Sequence, residues 1–156
     1  MINNISIINE KNISDIELIK KLEQKTKTNL TSKINETCFN EIQNQTKNEF
    51  QTMLYLKTKQ KTIENACLIS IKKDIRCATI EIASFSKKNK IDIFLKSIEE
   101  YLFNIIDTYE IFIKTDDNND TRKYLKEKGY EDLGKEKKDH IYMKEKQQKE
   151  MMVHIL

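Results

Sequence analysis

Glu81 is the only carboxylate in the strand-like run Ile75 to Phe85, and small residues, Thr79 and Ala83, stand on either side of it along the same face. A carboxylate in that setting can face a cleft, where burial raises its pKa and suits it to accepting a proton at neutral pH. The same pattern also fits an ordinary sheet-surface glutamate paired with a lysine. Shortly after it, Lys87, Lys88 and Lys90 bring three positive charges to the run before an amphipathic helix. Helix N-termini attract anions, so this run reads either as a phosphate site or as a solvated loop in a lysine-rich chain. Cys38, Cys67 and Cys77 form no C-x-x-C pair and reach no familiar zinc spacing with His140 and His154. They read as buried thiols of a reduced, cytoplasmic protein, with no metal.

These side chains sit in a chain of 156 residues with 26 lysines, 24 isoleucines, 14 asparagines, no proline and two glycines. Such a skew fits codon drift in an AT-rich bacterial genome, so lysine abundance carries little information and each glycine carries more. The net charge of +3 is too mild to point to nucleic acid. No apolar run approaches the roughly 20 residues a bilayer demands, and no signal peptide is indicated, so no membrane association is expected.

Periodicity places the elements. A first strand is expected at Asn4 to Asn9. A helix follows, capped by Ser14 and Glu17, with Ile16, Ile19 and Leu22 on its apolar face. A second helix is expected over about Thr31 to Phe50, with Ile34, Cys38 or Phe39, and Ile42 on one face. From Thr52 the period becomes two, giving strands at Met53 to Leu56, Ala66 to Ile71 and Ile75 to Phe85 as an antiparallel meander. Ile80 and Ile82 occupy one face of the last, and Cys77, Thr79, Glu81 and Ala83 the other. Ile91, Leu95, Ile98, Leu102 and Ile105 mark a long helix with Asp92 in its first turn. Tyr109 to Thr115 is a strand, and Thr121 to Lys128 a short helix stopped by Gly129. Tyr130 to Gly134 and Ile141 to Lys144 close the chain as a strand pair, with Gly134 at a turn or bulge. The order β-α-α-β-β-β-α-β-α-β-β is that of one α+β domain over 1–146, a mixed, mainly antiparallel sheet with helices on both faces. A tail follows over 147–156; its apolar end (Met151 to Val153) could support a homodimer contact.

The run from Asn118 to Tyr130 resembles the Asn-x-x-Ala-x-x-x-Tyr-x-x-x-Gly-Phe signature of the GNAT superfamily of acyl-CoA N-acyltransferases. Asn118, Thr121, Gly129 and Tyr130 fall on its asparagine, alanine, glycine and final aromatic. The element order over nearly the whole chain fits that fold. By this resemblance, Lys87-Lys88-Asn89-Lys90-Ile91-Asp92 stands where the family's pyrophosphate loop binds coenzyme A. Lys87 takes the Arg/Gln position and Ile91 keeps the aliphatic one, while Lys90 and Asp92 replace glycines. Side chains there obstruct a pyrophosphate, and Asp92 brings negative charge to it.

The resemblance implies further roles. The backbone of Ile82, Ala83 and Ser84 would hydrogen-bond the pantetheine arm where strands four and five splay. The family's acid, a tyrosine on the following helix, falls in register on Leu125, which has no proton to give. Tyr124 is adjacent but turned by about 100°, and its other reading is a packing tyrosine. Amine acylation needs a base, because an ammonium has no lone pair, and Glu81 is the candidate. The implied activity is transfer of an acetyl group from acetyl-CoA to a primary amine of unread identity, a small molecule or a protein amine. The alternative is a catalytically inactive binding or regulatory protein of the same fold.

Overall fold

Alternating apolar residues from Glu49 onward build most of a seven-stranded sheet. Its strands are β1 (Ser6–Ile7), β2 (Glu49–Lys57), β3 (Ile63–Lys72), β4 (Cys77–Ser84), β5 (Glu110–Thr115), β6 (Glu131–Glu136) and β7 (Asp139–Glu145). The computed structural model describes residues 5–85, 88–115 and 119–147, with the backbone alone at 88, 89, 119 and 120. The spatial order is β1-β2-β3-β4-β5-β7-β6. Every neighbouring pair is antiparallel except β4 and β5, which run parallel because a helical crossover joins them. The helices are α1 (Ile16–Thr26), α2 (Glu41–Asn44), α3 (Lys88–Glu99) and α4 (Asn119–Glu127). The expected element order and mainly antiparallel mixed sheet are therefore both present.

Side-chain alternation divides the core between the two faces of the sheet. Leu54, Ile69, Ile80, Ile111, Ile113 and Tyr142 pack with α3 and α4, whereas Met53, Tyr55, Leu68 and Ala83 pack beneath α1. Ile80 and Ile82 fall on the α3 side and Ala83 on the α1 side, as the alternation predicts.

Three expectations are corrected. The first helix is entered through a 3₁₀ turn at Glu10–Asp15, and its capping box is Asn9 with Asn12 rather than Ser14 with Glu17. Asp15, just before α1, makes no cap because its carboxylate takes the Tyr55 hydroxyl at 2.6 Å and Lys57 at 3.0 Å. The second helix shrinks to two 3₁₀ turns, Thr31–Lys33 and Glu36–Phe39, and the four residues of α2. Asn35, Asn40 and Asn44 bond instead to backbone groups at Thr37, Glu36 and Thr37, the local competition that makes such residues poor helix formers. Ile42 is consequently 83 % exposed rather than buried. Finally, α3 begins at Lys88, so Asp92 lies beyond its first turn, which holds no acid. The helix then passes into a π-helical segment at Glu100–Ile105. The wider turn shifts the phase of the apolar stripe, leaving Leu102 buried but Ile105 54 % exposed.

Around α4 the sequence reading holds. Gly129 stops the helix at φ +88°, and Tyr130 turns back to donate its hydroxyl to Glu99 at 2.7 Å. Lys144 joins the same carboxylate at 3.2 Å. Gly134 (φ +99°) sits at the bulge between Asp132 and Gly134 in the β6–β7 register. A Cβ at Gly129 would meet nothing within 4 Å, so backbone strain alone opposes a side chain there. Gly129→Ala is expected to lower stability by about 1 kcal/mol in urea unfolding, with the unfolding slope unchanged.

Candidate active site

Among the described residues the parallel pairing of β4 with β5 runs from Cys77–Glu110 to Glu81–Lys114. Ile82, Ala83 and Ser84 continue alongside β3, opposite Cys67, Ala66 and Asn65. The Phe85 amide donates to the Glu64 carbonyl at 2.8 Å, which fixes the alternation of the antiparallel ladder. Ala83 and Glu81 therefore turn their peptide groups toward β3, and Ile82 and Ser84 turn theirs toward β5. The Ser84 hydroxyl donates to Asn65 at 2.6 Å.

The N-terminus of α3 follows directly. Its first four amides have no intrahelical acceptor, and no acid lies in its first turn, so this end is electropositive. Lys90 is half exposed there and only loosely engaged by Glu64, at 3.9 Å. Lys87 and the side chains of Lys88 and Asn89 lie outside the described residues, as does Asn118. Ile91 is partly buried against the α3-side core.

Asp92 faces α4. It accepts the Tyr124 hydroxyl and pairs with Lys128 at 3.1 Å and Lys96 at 3.3 Å. Those partners, the tyrosine first, hold its pKa down at about 2. Its negative charge is thus matched by cations on the α4 side. Tyr124 is buried, which raises its pKa, and hydrogen bonding to Asp92 raises it further, so the phenol stays protonated. Lys128 lies over its ring at 5.5 Å. Leu125, in the register position of the family tyrosine, is buried in the core. Because the carboxylate of Asp92 titrates below its ordinary value of 3.8, its contribution to stability is complete above that value. It is lost as the pH falls toward 2. Thermal melts across this interval should show a pH dependence that Asp92→Asn reduces.

Glu81 lies on the opposite, α1 side of the sheet. Lys33, from the 3₁₀ turn after α1, reaches it at 2.9 and 3.1 Å, and the Glu81 side chain is 23 % exposed. The structure thus places Glu81 and Ser84 on one strand, β4, and sets Tyr124 with Asp92 on the α3–α4 side. The sequence reading missed two lysines here: Lys33, and Lys114 beside Glu81 in register. In a chain so rich in lysine neither position carries a signal before the sheet topology is known.

Cys38 and Cys67 are buried and Cys77 partly so; burial pushes the Cys38 thiol up to about 12 and keeps it protonated. Among the described residues no group of three or more His, Cys, Asp or Glu is placed to hold a metal, and no helix is long and apolar enough to cross a membrane. Cavities of about 390 and 290 Å³ lie at the 3₁₀ turns and along the outer edge of β2, and neither is lined by Glu81 or Tyr124.

The overall fold is similar to that of solved acetyltransferases. The PaiA N-acetyltransferase of Thermoplasma acidophilum, solved in complex with coenzyme A, superposes with a TM-score of 0.63 at 13 % identity, covering 91 % of this chain and 99 % of that one. The chain has the GNAT acetyltransferase fold. The GNAT architecture is equally clear against the Campylobacter jejuni N-acetyltransferase PseH, with a TM-score of 0.60 at 15 % identity over 92 % of this chain and 99 % of that one. A spermidine N-acetyltransferase of Vibrio cholerae gives 0.61 at 14 % identity over 89 % and 91 %. No protein-family model and no curated protein sequence matches the chain. The likeness therefore lies in the fold, at identities too low to carry residue roles across.

Proposed function

We propose that this GNAT-fold chain is an N-acyltransferase that moves an acetyl group from acetyl-CoA to a primary amine by direct attack. The observation that carries the reading is the likeness of the fold to solved N-acetyltransferases, together with a parallel β4–β5 pair whose crossover begins at the acid-free N-terminus of α3. These residues fit an acyl-CoA. Main-chain groups of Ile82 to Ser84 suit the amide-bearing arm, and the α3 amides with Lys87, Lys88 and Lys90 suit the phosphates. Lys90 and Asp92 replace glycine, but Asp92 is drawn off by Tyr124, Lys128 and Lys96. That leaves the helix end without the opposing charge its sequence position suggests. Asn89, Ile91 and Asn118 complete the binding set by resemblance.

Bound there, acetyl-CoA supplies an activated acyl group as a thioester. Glu81 holds the acceptor ammonium and takes its proton, freeing the nitrogen lone pair. Main-chain amides at the strand ends polarise the carbonyl. To protonate the departing sulfur, Tyr124 would give up its hydrogen bond to Asp92 and turn its hydroxyl to the thiolate. Isothermal calorimetry with acetyl-CoA, followed by an assay for free thiol released in the presence of amines, tests the reading. Saturable binding and amine-dependent thiol release support it; no binding at millimolar acetyl-CoA refutes it. Binding without thiol release for any amine favours the non-catalytic alternative.

A further inference from the structure

The cavity of about 290 Å³ along the outer edge of β2 lies at the other end of the sheet from Ser84. Phe50 and Thr52, in its lining, come from the start of β2, which through β3 stands level with Cys77 at the start of β4. Tyr101 and Ile105 come from the π-helical segment that continues α3, and Ile105, 54 % exposed, gives the cavity an edge on solvent. Widened turns of this kind are frequent where a helix borders a functional site.

Asn44, at the end of α2, lines the same cavity and is 5 % exposed. Its amide N–H donates to the Asn40 carbonyl at 2.9 Å, and its own carbonyl accepts from the Lys47 amide and from Lys73 Nζ, both at 3.2 Å. Its Nδ2 donates to the Thr37 carbonyl at 2.7 Å. Oδ1 alone has no partner among the described residues, a condition rare for a buried acceptor. The charged side chains in the lining are Glu41 and Lys73, one of each sign. Glu41 is exposed, and Lys73 is held by the Asn44 and Gln45 carbonyls, with its ammonium 5.2 Å from the centre of the Phe50 ring. Ile7, Phe50, Ile105 and Ile106 supply apolar walls.

We propose that this cavity is a second binding site, for a small neutral aromatic heterocycle that carries a ring N–H and is about the size of indole. The N–H supplies the donor that Asn44 Oδ1 lacks, and the rings lie against the apolar walls. The opposite charges of Glu41 and Lys73 give no net attraction for an ion, whose desolvation would oppose entry. An apolar cavity of about 150 Å³ accommodates benzene, so a volume of about 290 Å³ has room for two fused rings. The site is independent of acyl transfer, because neither Glu81 nor Tyr124 lines it.

Calorimetry and amide magnetic resonance of the isotope-labelled protein compare indole with benzofuran, which matches its shape and lacks the N–H. Indole is expected to bind roughly tenfold or more tightly, the range of one hydrogen bond to a buried acceptor. It should shift the amides of Asn44, Phe50, Thr52 and Tyr101 and leave those of Ile82 to Ser84 in place. Asn44→Leu should remove the difference between the two ligands. Ile105→Trp changes an exposed position, so the fold should hold while the indole ring of the new side chain fills the cavity and abolishes binding; this variant decides the matter if Asn44→Leu fails to fold. No binding at millimolar indole, equal affinity for both ligands, shifts confined to other residues, or unchanged indole affinity in Ile105→Trp overturns the inference.

Discussion

Glu81→Gln is expected to lower kcat for acyl transfer by roughly two to four orders of magnitude, the usual contribution of a positioned acid or base. Glutamine keeps the size of the side chain and can still bond Lys33, so the β3–β4–β5 ladder around it should hold and acetyl-CoA affinity should stay within about twofold of the parent. That combination separates a base from a merely structural glutamate. If Glu81 does no more than pair with Lys33 on the sheet surface, the variant turns over like the parent at every pH.

The second large effect is expected at the helix end. Lys87→Ala combined with Lys90→Ala should weaken acetyl-CoA binding by roughly ten- to a hundredfold, because two charged contacts to phosphate are lost in a setting partly screened by solvent. The parent's affinity should fall with added salt, and the double variant's should fall less steeply. An unchanged affinity would remove this loop from the phosphate site. Lys90 is suited to the role by its loose hold on Glu64, a contact of 3.9 Å that a phosphate readily displaces.

The parts of this molecule that were legible in its sequence are those where one face of an element is buried. The alternation at Ile80, Ile82 and Ala83 assigned both faces of β4, because a slip of one residue would turn Ile80 to the wrong side. Gly129 marked the end of α4 because a positive φ is costly for residues with a Cβ. The segment between α1 and β2 was misread, since Asn35, Asn40 and Asn44 spend their side chains on nearby backbone. The π-helical segment carried no warning: its effect, Ile105 rotating out of the buried stripe, follows from one widened turn.

For the candidate site, residue types were readable and their relations were not. Glu81 stood out as a lone acid between small residues, yet its partner Lys33 is 48 positions away and comes from a turn expected to be helical. Asp92 appeared to oppose phosphate binding because it falls on a glycine position. Its actual direction depends on Tyr124, on α4, and Lys128, just past its end, both placed there by the tertiary fold. Lys114 became informative only once β5 was seen to run parallel to β4 with Glu81 at its side.

The central claim is that acyl-CoA binds along the end of β4 and at the N-terminus of α3. Nuclear magnetic resonance of the isotope-labelled protein, titrated with acetyl-CoA, addresses it at the level of single amides. The account predicts saturable shifts largest at Ile82, Ala83 and Ser84 and at the first amides of α3, with Ile7, Asn9 and the outer edge of β2 unmoved. Shifts confined to that outer edge, or none at millimolar acetyl-CoA, would contradict it.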